Sequence, residues 1–183
     1  MKNELDCIYK RAADLRHFPE MLIEVADDIA VAAEMIKKTF SKDHKLFLFG
    51  NGGSAADAQH IAAEFVGSHN RAIALTADSV TVTALSNDHG YDALFARQLS
   101  ALAEVGDLAI GTSTSGMSRN VIEGLSWART YHMGTIALIG SYKAMIEPYS
   151  DVVIAVPATD TQRIQEMHIV IGHLLWEVSQ LSE

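Results

Sequence analysis

In the first forty residues apolar positions recur every three or four places, at Ile8, Ala12 and Leu15 and then at Met21, Val25, Ile29, Ala33 and Ile36. That spacing lines one face of a helix. No glycine interrupts the stretch, so two helices are predicted. Pro19 falls between them, where it suits the first turn of the second helix, a position at which its missing N–H costs nothing. After Lys42 the pattern changes. Short, nearly continuous apolar runs occupy residues 45–49, 72–75, 108–110, 135–139 and 152–156. Each gives way to glycine or small polar residues and then to an amphipathic stretch of helical length. Strands that are apolar on both faces and alternate with helices are what a parallel sheet covered on both sides requires. The pattern therefore predicts an α/β fold, a three-layer αβα sandwich with a five-stranded parallel sheet over residues 43–183, preceded by a helical hairpin over residues 1–42. Only three prolines, no low-complexity segment and no internal repeat are present, so residues 1–183 read as a single domain.

Composition narrows the function classes. A chain of 183 residues, 49% hydrophobic and 20% charged, suits one ordinary soluble domain. Lys and Arg number 14 against 23 Asp and Glu, a net charge of −9, the wrong sign for neutralising the phosphates of a duplex. Nucleic acid is not the expected partner. The single cysteine, Cys7, rules out an intramolecular disulfide framework and a multi-cysteine zinc cage, and it reads as an ordinary position on an amphipathic helix. Residues 1–18 are charged throughout, without a signal peptide's apolar core, and no apolar run approaches the ~18 residues of a spanning helix. A cytoplasmic location and no membrane partner are expected.

In open parallel sheets ligands bind beyond the carboxyl ends of the strands. The first apolar run ends in Gly50-Asn51-Gly52-Gly53-Ser54 and passes directly into a helix start. Glycines let backbone approach a ligand, and free amides at a helix start carry partial positive charge, so a phosphate or a polyhydroxyl compound fits. The spacing is neither that of the P-loop nor that of the dinucleotide fingerprint. A turn of this composition is equally a tight connection. The third run ends in Gly111-Thr112-Ser113-Thr114-Ser115-Gly116-Met117-Ser118, a neutral cradle of amide and hydroxyl donors through which an acidic chain could hold an anion. Ser118 alone also reads as an N-cap.

His60 and Glu64 are four apart and share a helical face, as a metal-binding pair or as a surface pair. Their apolar neighbours Ile61, Ala62, Ala63 and Phe65 favour a partly buried site. A last helix over residues 160–181 carries Gln165, His168 and His173. At ~100° per residue Gln165 and His173 lie about 80° apart and can share a site, whereas His168 and His173 are separated by about 140°. Gly172, on the face of Gln165, lets another element come close. Asn87-Asp88, following a short helix that begins near Ser79, reads equally as a helix stop and as a ligand-binding pair. His17, His44, His69, His89 and His132 read as solvated.

Taken together and in order, 50–60, Asn87-Asp88, Ser113-Thr114-Ser115-Gly116, Arg163-Ile164-Gln165-Glu166 and His173 resemble the sugar isomerase (SIS) domain proteins, and within them the phosphoheptose isomerases. The resemblance spans nearly the whole chain. It implies a flavodoxin-like sandwich, a homotetramer in which residues 1–42 serve oligomer packing, active sites at subunit interfaces, and a phosphorylated sugar as substrate. It further implies that Ser113, Thr114, Ser115 and Ser118 bind the phosphate. Asn51, Gly52, Gly53, Ser54, Asn87 and Asp88 would hold the sugar, with Glu64 and Gln165 also facing it. One zinc ion per subunit would be held by His60, Glu64, Gln165 and His173. The implied reaction is the conversion of sedoheptulose 7-phosphate to a heptose 7-phosphate through an enediol, for heptose-containing glycans. Glu64 would be the base at carbon and His173 the acid/base at oxygen. The alternative class is a non-catalytic SIS module, a phosphosugar sensor or a scaffold resembling the DnaA-binding initiator-associated proteins. Two segments depart from the family pattern: Ser68-His69-Asn70 stands where an arginine is usual, leaving Arg71 or a neighbouring subunit to supply one, and the turn 140–145 lacks the usual glycines.

Overall fold

A computed structural model describes residues 2–141 and 145–181 of the chain. Five strands, β1 (Leu46–Gly50), β2 (Ala72–Ala74), β3 (Leu108–Ser113), β4 (Gly134–Ile139) and β5 (Val152–Ala155), form one sheet in the order β2-β1-β3-β4-β5. Every pairing is parallel. The alternation along the strands explains why both faces are covered. Leu46, Leu48, Leu108, Ile110, Ile136 and Leu138 turn to one face, against helices α3 (Ala26–Ser41), α4 (Gly53–Gly67) and α8 (Thr161–Ser179). Phe47, Phe49, Ala109, Ala137 and Ile139 turn to the other, under α6 (Leu94–Leu102) and α7 (Arg119–Thr130), with α5 (Ser79–His89) packed beside α6. A buried side chain of this size contributes about 1.5–3 kcal/mol, so the two clusters supply most of the drive to fold.

The order reverses between β1 and β3, because the chain leaves β1 for one edge and returns to build the other. At that switch point the loops after neighbouring strands splay apart and leave a crevice. Gly50 is paired in register with Thr112, which sets the glycine turn and the hydroxyl run side by side at the carboxyl end of the sheet.

Ahead of the sheet, α1 (Lys2–Asp14) leads through a single 3-10 turn, Leu15–His17, into α2 (Phe18–Glu24), whose first turn holds Pro19. A break at Val25, with ψ 9°, divides the expected second helix into α2 and α3. No proline or glycine marks that break in the sequence. The helical region is therefore present, but among the described residues α1 makes no substantial backbone packing against α2 or α3. It meets the start of α8 instead, through an ion pair of 2.9 Å from Arg11 to Asp160. Leu5, Ile8 and Tyr9 are left exposed on it, and Cys7 is exposed too. No described helix is long and apolar enough to cross a membrane.

At the amino end of the sheet two aspartates pin the strand starts. Asp107 is fully buried and accepts from the Lys45 N–H (2.7 Å) and the Glu104 N–H (2.8 Å), with Lys45 Nζ at 3.6 Å. Asp151 accepts from the Thr135 N–H and hydroxyl at 2.9 and 3.0 Å. Of the histidines expected in solvent, His17, His69, His89 and His132 are exposed. His44 is half-buried, with Nδ1 3.6 Å from Asp107 and its ring lying over Gly106. That contact joins residues more than sixty positions apart, so nothing in the local sequence signals it.

Candidate active site

Helix α4 begins at the carboxyl end of β1 and brings His60 and Glu64 onto one face, with His60 Nε2 3.7 Å from Glu64 Oε1. Helix α8 runs alongside and delivers His173, whose Nε2 lies 2.9 Å from Nε2 of His60. Two imidazole nitrogens that close are either a donor and a lone pair, or two lone pairs turned toward one cation. Ligand atoms of His60, Glu64 and His173 all fall within 4.8 Å of one another, a cluster able to hold a metal ion. Helix α8 can approach α4 because Gly172 has no side chain. A Cβ there would lie 2.5 Å from Ile61 Cδ1. Gln165, two turns before His173, lies against Gly53 at the start of α4.

The glycine turn uses backbone that side chains rarely adopt. Gly52 has φ +58°, and a Cβ on Gly53 would collide with the Gln165 amide. Asn51 is held from two directions: its Oδ1 accepts from the Tyr91 hydroxyl (2.8 Å) and from Asn120 Nδ2 (2.8 Å), while its Nδ2 donates to Asn120 Oδ1 (2.8 Å). The reciprocal amide pair ties the β1 loop to the first turn of α7 across the switch point. Asn120 was not among the residues picked out by sequence pattern. Its signal, a buried amide in the first turn of a helix, emerges only when the two loops are adjacent.

On the far side of the crevice the hydroxyl run closes on itself. Ser113 Oγ donates to Ser118 Oγ at 2.9 Å, and Ser115 Oγ accepts from the Met117 N–H at 3.2 Å. Ser118 precedes α7 but makes no side-chain cap, so its hydroxyl belongs to the loop rather than to the helix start. Thr114, Ser115 and Met117 line a cavity of about 200 Å³ with Ala158, Thr159, Thr161 and Ile164, beside the Asp160-capped start of α8.

Asn87 and Asp88 lie within the last turn of α5 rather than beyond it, because the chain stops at Gly90, with φ +82°. Both are exposed and bonded to each other at 2.8 Å. Tyr91 is what joins this corner to Asn51. Arg71 lies at the amino end of β2, paired with Asp43 at 3.2 Å, so within one chain it does not replace the usual arginine. Ser68 caps the end of α4 and its hydroxyl accepts from Trp176 Nε1 at 3.0 Å. Of the turn 140–145, residues 142–144 lie outside the described residues.

Below the surface cluster sit two more titratable groups. Asp57, one turn before His60, is half-buried. Burial pushes its carboxyl up to about 6 against the opposing pull of His60. His168 is 1% exposed, and burial pushes its imidazole down to about 4, against the hydrogen bond to the Ile139 carbonyl.

Three comparisons bear on this arrangement. A family model described as the SIS domain matches residues 12–140. A phosphoheptose isomerase of a Roseiflexus strain is 47% identical over 156 residues, covering 82% of this chain and 79% of its own length. One from Aquifex aeolicus is 43% identical over 185 residues, 97% of this chain and 95% of its own. Among solved structures, a phosphoheptose isomerase from Neisseria gonorrhoeae superposes with a TM-score of 0.87 at 38% identity, covering 94% of this chain and 98% of that one.

Proposed function

Since this chain belongs to the SIS domain family, we propose that it does what its phosphoheptose isomerase relatives are named for, interconverting sedoheptulose 7-phosphate and a heptose 7-phosphate. It is a phosphosugar isomerase. The observation that carries the reading is the His60–Glu64–His173 cluster on α4 and α8, two helices that start from the carboxyl end of the sheet, together with a neutral hydroxyl loop at that end.

An aldose–ketose isomerisation moves a proton between C1 and C2 through an enediol, so the site needs a base at carbon and an acid at oxygen. Glu64 takes the carbon-bound proton and returns it to the neighbouring carbon. His173 passes a proton between the two sugar oxygens. In the metal-free site the neighbouring His60, its Nε2 2.9 Å from that of His173, can hold the matching proton or lone pair while His173 exchanges it. Ser113, Thr114, Ser115 and Ser118, with the amides that open α7, hold the phosphate by donation rather than by lysine charge. Asn51, Gly52, Gly53 and Ser54 face the sugar. Asn51 has its carbonyl oxygen engaged twice and one Nδ2 hydrogen engaged, which leaves a single N–H to offer a hydroxyl.

Two imidazoles and a carboxylate are a donor set that suits zinc, and Gln165 would complete it. A zinc ion there would supply Lewis acidity at the substrate's carbonyl oxygen. The tetramer belongs to the same proposal. Among the described residues Asn87 and Asp88 are exposed and hydrogen-bonded to each other, and the apolar Leu5, Ile8 and Tyr9 on α1 are exposed, as expected if a second copy completes both. Residues 1–42 would then serve that packing and residues 43–183 the site.

The non-catalytic sensor or scaffold is not favoured, because Glu64 and His173 are both retained and brought together with His60. The test is a discontinuous proton-NMR assay of sedoheptulose 7-phosphate with and without added zinc, alongside His173→Ala. Turnover that the substitution abolishes is the expected result. No turnover, with the phosphosugar still raising the melting temperature, would return the chain to the binding class.

A further inference from the structure

Between α4, α8 and the strands β1, β3 and β4 lies a small space lined by Leu48, Ile110, Leu138 and Leu175 and, among them, by Asp57, Thr112 and His168. It is apolar except at a few points. Among the described residues, two buried polar atoms of that lining have no partner: Oδ2 of Asp57 and Nδ1 of His168. Their proton states follow from simple chemistry. Nε2 of His168 lies 3.2 Å from the Ile139 carbonyl oxygen, which can only accept, so Nε2 carries the hydrogen. Nδ1 is then a bare lone pair. An ionised Asp57 oxygen is likewise only an acceptor. The two unpartnered atoms are thus both acceptors, and neither can satisfy the other; the Thr112 hydroxyl also lines the space. Its size is on the order of a single water.

We infer that one ordered water occupies this space and donates one hydrogen to His168 Nδ1 and the other to Asp57 Oδ2, bridging α8 to α4 beneath the acid/base cluster. Water is the one small ligand that brings two donors to two acceptors in so little room, and buried polar groups are costly unless paired. The bridge has a mechanical consequence. Asp57 stands one turn before His60 on α4, and His168 stands between Gln165 and His173 on α8. A strut between them sets the distance from the His60–Glu64 face to His173. On the isomerase reading, Asp57 is a positioning residue.

The test counts long-lived internal waters by oxygen-17 magnetic relaxation dispersion in the wild type and in His168→Phe, and records the nitrogen-15 shifts of His168 in the wild type. The expected outcome is one long-lived water fewer in the variant, with His168 held as the Nε2–H tautomer and its Nδ1 shifted as a hydrogen-bonded lone pair. An Nδ1–H tautomer, an unbonded Nδ1, a direct bond to a protonated Asp57, or an unchanged water count would overturn the bridge. The nitrogen measurement needs no variant and stands if His168→Phe fails to fold. Asp57→Ala is expected to lower kcat about tenfold with KM unchanged, and Asp57→Asn, which still binds a water, to restore part of it. An unchanged kcat in Asp57→Ala would overturn the positioning role. Were the wild type itself inactive, the isomerase reading would fail while the water count still decided the bridge.

Discussion

The two ends of the sheet both gather polar side chains, and they treat them in opposite ways. At the amino end Asp107 has no exposure, and each of its oxygens receives a donor, from the Lys45 and Glu104 amides. Asp151 does the same for the start of β4. At the carboxyl end the hydroxyls of the 113–118 loop bond mainly among themselves, and along α4 and α8, which run back from that end, His60 and Glu64 stand partly in solvent and two imidazole nitrogens face each other. A polar group whose capacity is filled by its own chain stabilises the chain. One whose capacity stays open is available to something else. The Asp107 carboxylate is structural, and on the isomerase reading the Glu64 carboxylate is chemical, although their residue types hardly differ.

The comparison breaks most visibly at Asp107. Asp107→Ala leaves two backbone N–H groups without acceptors, at about 1–3 kcal/mol each, so a loss of about 3 kcal/mol in urea denaturation is expected, with kcat per folded molecule unchanged. A smaller effect sharpens the other side. His168 has a folded value of about 4 against an ordinary 6.5, so the unfolded chain protonates first and stability falls as pH drops through that interval. Asp57, raised from 3.8 to about 6, works the other way: the folded chain binds its proton first, and stability rises as pH drops from about 6 toward 4. Asp57→Asn removes the compensation. Between pH 7 and pH 5 the variant should lose more stability than the wild type, by on the order of 1 kcal/mol once solvent screening at the half-exposed carboxyl is allowed for. Parallel curves for the two proteins would contradict the assigned environments.

Much of this was legible in the sequence because it is local. The apolar runs locate each strand to within a few residues, and burial on both faces follows from their continuity. Helical spacing puts His60 beside Glu64 and separates His168 from His173, and it anticipates the close approach at Gly172, which the structure assigns to Ile61. What was not legible joins segments far apart in the chain. The Asn51–Asn120 amide pair spans 69 positions, and the reach of Tyr91 to Asn51 spans 40. His44 is covered by a turn near residue 106, and the division of α2 from α3 at Val25 has no glycine or proline to announce it. The hydroxyl of Ser118 could cap α7 or turn inward, and only the position of Ser113 decides between them.

The central claim is that the open polar groups on α4 and α8 move a proton between adjacent sugar carbons. It is tested most directly by running the reaction in deuterium oxide and following deuterium at C1 and C2, for the wild type and for Glu64→Gln. The account predicts turnover with deuterium entering at the carbon that Glu64 protonates. In Glu64→Gln the rate should fall at least a thousandfold, about 4 kcal/mol of barrier, with phosphosugar binding and melting temperature kept. Label and turnover unaffected by that substitution would contradict it.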